Sequence, residues 1–200
     1  MYNSGRPVSL NRENVSEVCM SIYWKHGIKN ISYNDVIKAS GLSKGSFYKL
    51  FNNEDDLQAE TLKIYNKYVN LLYDKLEQVE DFFQMISILK NWKFKNNLKY
   101  CYFFVSYLES YKMGKKTKNS INKIELKYRQ LLNEIYKKHL KKYNIKKNNL
   151  NIDQVVNFIF NNIAFISLLH RNKSNKSNIL LYKSSLYQFV YNLGHEKNNM

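Results

Sequence analysis

Helix breakers are scarce in this sequence, which holds one Pro and six Gly in 200 residues. A chain so poor in turn-formers folds into long uninterrupted helices, because tight turns need residues that accept a fixed or positive φ. With 44% hydrophobic and 15% aromatic residues it can also bury a full core, which excludes whole-chain disorder despite the many Asn and Lys. Cys19 and Cys101 are the only cysteines. They are too few for a disulfide framework or a cysteine metal site, and this suits a reducing cytosol. The opening MYNSGRPVSLNREN has no apolar signal-peptide core. The most apolar stretch, Val155 to Leu169, is broken by Asn157, Asn161 and Asn162 and falls short of the roughly 18 apolar residues of a spanning helix. The expectation is an all-α, soluble, cytoplasmic protein with no membrane partner.

Periodicity places the helices. Val15, Val18, Cys19, Ile22 and Tyr23 form one stripe of a first helix over about 11–26, closed by Gly27. Ser32 begins a second: its hydroxyl can accept from the Asp35 N–H and Asp35 can return the bond, as in a capping box. Gly41 ends this helix, Leu42 plugs the bend, and Ser43 caps a third helix to about Leu50 or Phe51, with Phe47 and Phe51 facing inward. Asn53, followed by Glu54, Asp55 and Asp56, starts a fourth, its three acids set at the positive end of the helix dipole. Leu57, Thr61, Ile64, Tyr65, Tyr68, Leu71, Leu72 and Leu76 continue one face of that helix for about five turns. Further helices are expected near 81–94, 99–113, 119–143, 152–172 and 177–194. Breaks are expected at Asn96-Asn97, Met113 to Lys116, Asn144 to Asn151 and Asn172 to Asn178.

The formal net charge is +16, which invites a nucleic-acid reading through counterion release. Its distribution argues otherwise. The first 56 residues carry seven bases and six acids, whereas Lys112 to Lys147 carries thirteen bases against Glu125 and Glu134. Such a run is ordinarily a solvated helix face plus loop, so local motifs must carry the functional case.

The second and third helices, joined by Ala39-Ser40-Gly41-Leu42-Ser43, make a helix-turn-helix whose second member can enter a DNA major groove. Its outer face presents Ser43, Lys44, Gly45 and Ser46 at the end where a recognition helix approaches base edges. Gly45 has two readings, close helix packing or close groove approach. Lys49 has two as well, solvation or a phosphate contact.

From Arg12 to Leu57 the sequence resembles the TetR family of bacterial one-component transcriptional regulators. The resemblance rests on Trp24-Lys25-His26-Gly27, on Ile31-Ser32-Tyr33-Asn34-Asp35-Val36, and on the run from Ala39 to Phe51. It implies a three-helix helix-turn-helix DNA-binding domain over 1–53 and a larger helical effector-binding and dimerisation domain over 54–200. The DNA-facing residues it implies are Ser32, Tyr33, Ser43, Lys44, Gly45, Ser46, Tyr48, Lys49 and Asn53. Tyr48 falls at the backbone-contacting position, and Asn53 stands where relatives often have Lys. Tyr100-Cys101-Tyr102-Phe103-Phe104-Val105 looks similar to the family's sixth helix. Asn151 to Ala164 resembles its eighth, which pairs with the ninth in a dimeric four-helix bundle. The implied interface is Val155, Phe158, Ile159, Asn162, Ile163 and Ile166 with Tyr182, Leu186, Phe189, Val190 and Leu193. The implied partners are double-stranded operator DNA, a small-molecule effector and a second copy of the chain, and the implied action is repression relieved by the effector.

Tyr65, Tyr68, Trp92, Tyr100, Phe103, Phe104 and Tyr107 are candidate walls of an effector cavity, and ordinary core is the competing reading of each. Catalytic and metal motifs are missing: His26, His139, His170 and His195 are isolated, and no phosphate loop or nucleophile elbow is present. No enzyme activity, metal or cofactor is expected. A functional alternative is a helical adaptor that meets protein partners through the basic segment.

Overall fold

The computed structural model describes residues 11–92, 94, 98, 100–145 and 150–195. Among these are ten α-helices, one 3₁₀ turn over Ser110–Lys112, and no strand. The helices are α1 (Arg12–His26), α2 (Tyr33–Ala39), α3 (Lys44–Leu50), α4 (Glu54–Tyr68), α5 (Asn70–Glu77), α6 (Phe82–Asn91), α7 (Tyr102–Leu108), α8 (Lys115–Lys142), α9 (Ile152–Arg171) and α10 (Lys176–His195). Most start on a local side-chain cap. Asn11 accepts from the Glu13 N–H at 2.9 Å, and Asn151 and Gln154 form a reciprocal box. Asn144 and Lys173, both at positive φ, follow the ends of α8 and α9.

Three boundaries depart from the periodic reading. The single helix expected through Leu76 is divided at Val69, whose carbonyl accepts from both the Leu72 and Tyr73 N–H groups at 2.9 and 3.1 Å. An apolar stripe does not register so small a tightening of the backbone. The helix expected over 99–113 is limited to α7 and the 3₁₀ turn. The third departure is the start of α8 at Lys115, four residues earlier than periodicity places it. The cap that fixes this start comes from Asp55, on α4. The expected break at Asn96-Asn97 lies outside the described residues.

The chain forms two compact units, one of residues up to Tyr68 with Ser106–Lys123, the other of Val69–Val105 with residues from Ile124 onward. This division differs from a boundary after residue 53, because α4 packs along α1 and the start of α8 is bound to α4. The core of the first unit is Cys19, Trp24, Val36, Phe47, Phe51 and Leu62, and that of the second is Leu76, Phe82, Phe104, Leu132, Phe160 and Val190. Helix α9 is long and apolar enough, by length and composition alone, to cross a membrane, contrary to the reading from its Asn residues. Its Val155, Val156, Ile159, Phe160, Ala164 and Ser167 are nevertheless buried, and it packs on α10, as a core helix does.

Several bases of the Lys112 to Lys147 segment bind groups of the protein itself. Lys116 pairs with Asp56 at 3.0 Å, and Lys138 donates to the carbonyls of Glu77 and Val79. The Arg129 guanidinium lies 4.2 Å from the Phe160 ring centre, and Lys142 pairs with Asp81. Asp81 is 2% exposed and caps α6 by accepting from the Gln84 N–H at 2.8 Å, while the Tyr143 hydroxyl donates to it at 3.2 Å. Burial pushes its carboxyl up, but the bonds from Lys142, the Gln84 N–H and Tyr143 outweigh this and hold it below the usual range. A carboxyl lowered on folding stabilises the native state above its unfolded value, near pH 4, and loses that contribution as pH falls through the folded value. Asp81→Asn is therefore expected to cost about 1–2 kcal/mol at neutral pH. In urea titrations the gap from the parent should narrow below about pH 4.

Candidate nucleic-acid interface

Helices α2 and α3 are set by two short caps and one glycine. The Ser32 hydroxyl accepts from the Asp35 N–H at 3.1 Å and the Ser43 hydroxyl from the Ser46 N–H at 3.2 Å. The return bond of a full capping box is replaced at Ser32 by the hydroxyl donating to the Asp35 carboxylate at 2.6 Å. Gly41 sits at φ +74°, a conformation glycine takes without strain, and turns the chain from α2 into α3. Phe47 and Phe51 are fully buried, with ring centres 5.1 Å apart, and fix which face of α3 points inward.

The opposite face is open. Ser43, Lys44, Gly45, Tyr48 and Lys49 are exposed, and Ser46 is half-buried. A methyl group at Gly45 would meet nothing within 4 Å, so no packing inside the chain requires glycine there. Of the two readings of Gly45, this removes close packing within the chain. Tyr48 is 48% exposed and leans edge-on against Tyr33, with ring centres 6.2 Å apart. Tyr33 also packs on Phe47, and its hydroxyl is buried without a hydrogen-bond partner. Burial first, with smaller contributions from neighbouring groups led by Tyr48, pushes that phenol up to about 12. The Tyr33 ring thus supports Tyr48, and its hydroxyl is not presented outward. Asn53 is exposed and its side chain is already engaged, accepting from the Asp56 N–H at 2.9 Å to cap α4.

One residue that pattern reading passed over also shapes this surface. The Arg12 side chain donates to the Leu50 carbonyl at the end of α3, lies 4.8 Å from the Phe51 ring centre, and pairs with Asp56 at 3.0 Å. Nothing local in the sequence marks it, because its partners are about forty positions away.

No family model matches the sequence, and no curated protein sequence is similar to it. Solved structures are. A TetR-family transcriptional regulator from Agrobacterium tumefaciens superposes with a TM-score of 0.73 at 10% identity, covering 90% of this chain and 99% of that one. The fold is that of the TetR-family regulators. A second such regulator, from Cytophaga hutchinsonii, gives 0.74 at 16% identity over 93% and 96% of the two chains. A third, a cysteine mutant of CifR complexed with 26-bp operator DNA, gives 0.69 at 13% identity over 92% and 98%.

Within this TetR-type fold the remaining candidates separate by unit. In the first, Tyr65 is buried edge-on to Trp24 at 5.2 Å, Tyr68 lies 5.9 Å from the same ring, and Tyr107 is half-buried. In the second, Phe103 and Phe104 are buried in a cluster with Tyr128 and Phe160, at 5.0 Å between Phe104 and Tyr128 and 5.1 Å between Phe104 and Phe160. Tyr100 is buried, which raises its phenol. Trp92 is half-buried, with the Lys75 ammonium 5.5 Å from its ring centre and its indole N–H buried without an acceptor. Two grooves of about 450 and 500 Å³ lie in the second unit, one beside Tyr136, Leu140 and Ile152, the other beside Tyr73, Lys127 and Glu134. None of the seven effector candidates lines either groove.

The expected dimer stripe divides in two. Val155, Ile159, Leu186, Val190 and Leu193 are buried within the chain itself and are corrected to core. Phe158 and Tyr182 are exposed, and Asn162, Ile163, Ile166 and Phe189 are partly so. Phe158 stacks on Phe189 at 4.0 Å, and exposed Phe165 meets Tyr182 at 4.7 Å. Asn162 donates to the Phe158 carbonyl at 2.8 Å.

Three substitutions, two on α3 and one at the start of α2, separate surface from scaffold. Gly45→Ala should raise stability by about 0.5–1 kcal/mol, since alanine favours the helix and meets no clash, yet weaken duplex binding. Tyr48→Phe should weaken all duplexes alike and Tyr33→Phe should leave binding unchanged. Thermal melts and fluorescence titrations on duplex DNA check all three.

Proposed function

We propose that this chain is a homodimeric DNA-binding transcriptional regulator, a repressor released from double-stranded operator DNA by a small-molecule effector, working in the cytoplasm without a cofactor. The observation that carries the reading is the outer face of α3, where an unconstrained Gly45 lies among exposed Ser43, Lys44, Tyr48 and Lys49. A groove about 12 Å wide admits such a helix, and a residue without a side chain lets its backbone come close. Tyr48 and Lys49 are suited to phosphates, while Lys44 and Ser46 are suited to base edges. The operator complex of CifR, on the same fold, supports this choice of ligand.

The second copy would sit on the exposed and half-exposed aromatics of α9 and α10. Phe158, Phe165, Phe189 and Tyr182 are large, outward and contiguous in pairs, a surface better suited to an isologous interface than to water. The effector is placed in the helical body. Among the described residues there, the Trp92 N–H is a buried donor that a ligand acceptor would satisfy. Release follows if the effector binds better to a form in which the two α3 helices are wrongly spaced for DNA.

Selection of duplexes from a random-sequence library by the purified protein is the test, and an inverted-repeat consensus is the result expected. No enrichment over non-specific, salt-sensitive binding would refute the reading. The dimer is tested separately. Phe158→Glu with Phe189→Glu should sediment as a monomer of unchanged helix content, and a persistent dimer would rule this surface out.

A further inference from the structure

The first unit contains a run of contacts between the end of α3 and the beginning of α8. Asp55, in the first turn of α4, caps α8 from about sixty residues away. Its Oδ2 accepts from the Lys116 N–H at 2.9 Å, and its Oδ1 accepts from the Thr117 N–H at 2.9 Å and from the Thr117 hydroxyl at 2.6 Å. These are amide donors that a helix start leaves without intrahelical partners. Gly114 makes room for the carboxylate: a Cβ there would lie 2.3 Å from Asp55 Cγ and 2.5 and 2.6 Å from its oxygens. Asp56 is the next link. Its Oδ1 accepts from the Lys116 ammonium at 3.0 Å, and its Oδ2 accepts from Arg12 at 3.0 Å and from the Asn52 N–H at 3.3 Å. Arg12 in turn donates to the Leu50 carbonyl and lies over the Phe51 ring.

Both carboxylates depend on α8 for part of their satisfaction. Burial pushes Asp55 up, but the bonds from Thr117 and the Lys116 N–H outweigh it; burial likewise opposes Asp56, outweighed by Lys116, Arg12 and Asn52. Asp56 is 8% exposed, so withdrawal of Lys116 leaves its charge resting on Arg12 and Asn52, and Arg12 also holds α3.

We propose that Asp55 and Asp56 form a clip that passes a displacement of the α8 N-terminus to the recognition helix. Its effect on operator affinity rests on reading α3 as the DNA-contacting helix, whereas its mechanical part does not. Contiguity alone is not coupling, and a double-mutant cycle measures the difference.

Gly114→Ala displaces the Asp55 carboxylate by sterics without changing any charge, and Asp55→Ala removes the carboxylate. Amide hydrogen exchange of the free protein is read at Phe47 and Phe51, whose N–H groups bond the Ser43 and Phe47 carbonyls, and affinity is read on a duplex that the parent protein selects from a random library. Each single variant should lower protection at Phe47 and Phe51 about fivefold or more and weaken the duplex similarly. The double variant should be no worse than Asp55→Ala alone, because the methyl group then has nothing to displace. Circular dichroism checks folding; if Gly114→Ala does not fold, Asp55→Asn should give a smaller change in the same direction. Faster exchange confined to residues 114–118, or additive losses in the double variant, would overturn the clip. Coupled exchange in a protein that selects no duplex would uphold the clip and refute the DNA-binding reading instead.

Discussion

A buried carboxylate stays ionised only while donors surround it, and Asp56 shows how much can depend on that condition. It is 8% exposed and takes its donors from Arg12 on α1, Asn52 after α3, and Lys116 on α8. Removing any one of them leaves a buried charge short of a partner, a larger penalty than the value of a surface ion pair. Three segments are therefore held to one side chain. Phe51, buried beneath the Arg12 guanidinium, fixes where α3 ends, and the outer face of α3 is what remains to be presented.

That face owes its character to what it lacks. Gly45 has open space where a side chain would be, and Tyr48 is held outward by Tyr33 rather than drawn into the core. A seven-residue helix anchored by buried Phe47 within it and buried Phe51 just after it has little freedom to rotate, so its exposed residues keep a fixed order. Part of the basic segment has a structural use, because Lys116, Arg129, Lys138 and Lys142 each bind groups of the protein itself.

What the sequence disclosed was local. Ser32 and Ser43 cap the helices they were expected to cap, and Phe47 faces inward, because each signal lies within four residues of its effect. The start of α8 was not legible, since its cap is a carboxylate on another helix, and Arg12 gave no signal for the same reason. On α9 and α10 the apolar residues surround much of each helix, so periodicity could not separate Val155 and Val190, buried in their own chain, from exposed Phe158 and Tyr182. Aromatic identity likewise does not distinguish a cavity wall from a filled core, as Phe103 and Phe104 illustrate.

The account turns on α3 as the element that reads sequence, and the base preference of variants altered on its outer face tests this most directly. Duplexes selected from a random library by Lys44→Ala and by Ser46→Ala should keep the parent half-site spacing but lose preference at one symmetric pair of positions, each by about 1–3 kcal/mol of discrimination. A consensus identical to the parent's in every position, with only uniform loss of affinity, would contradict it.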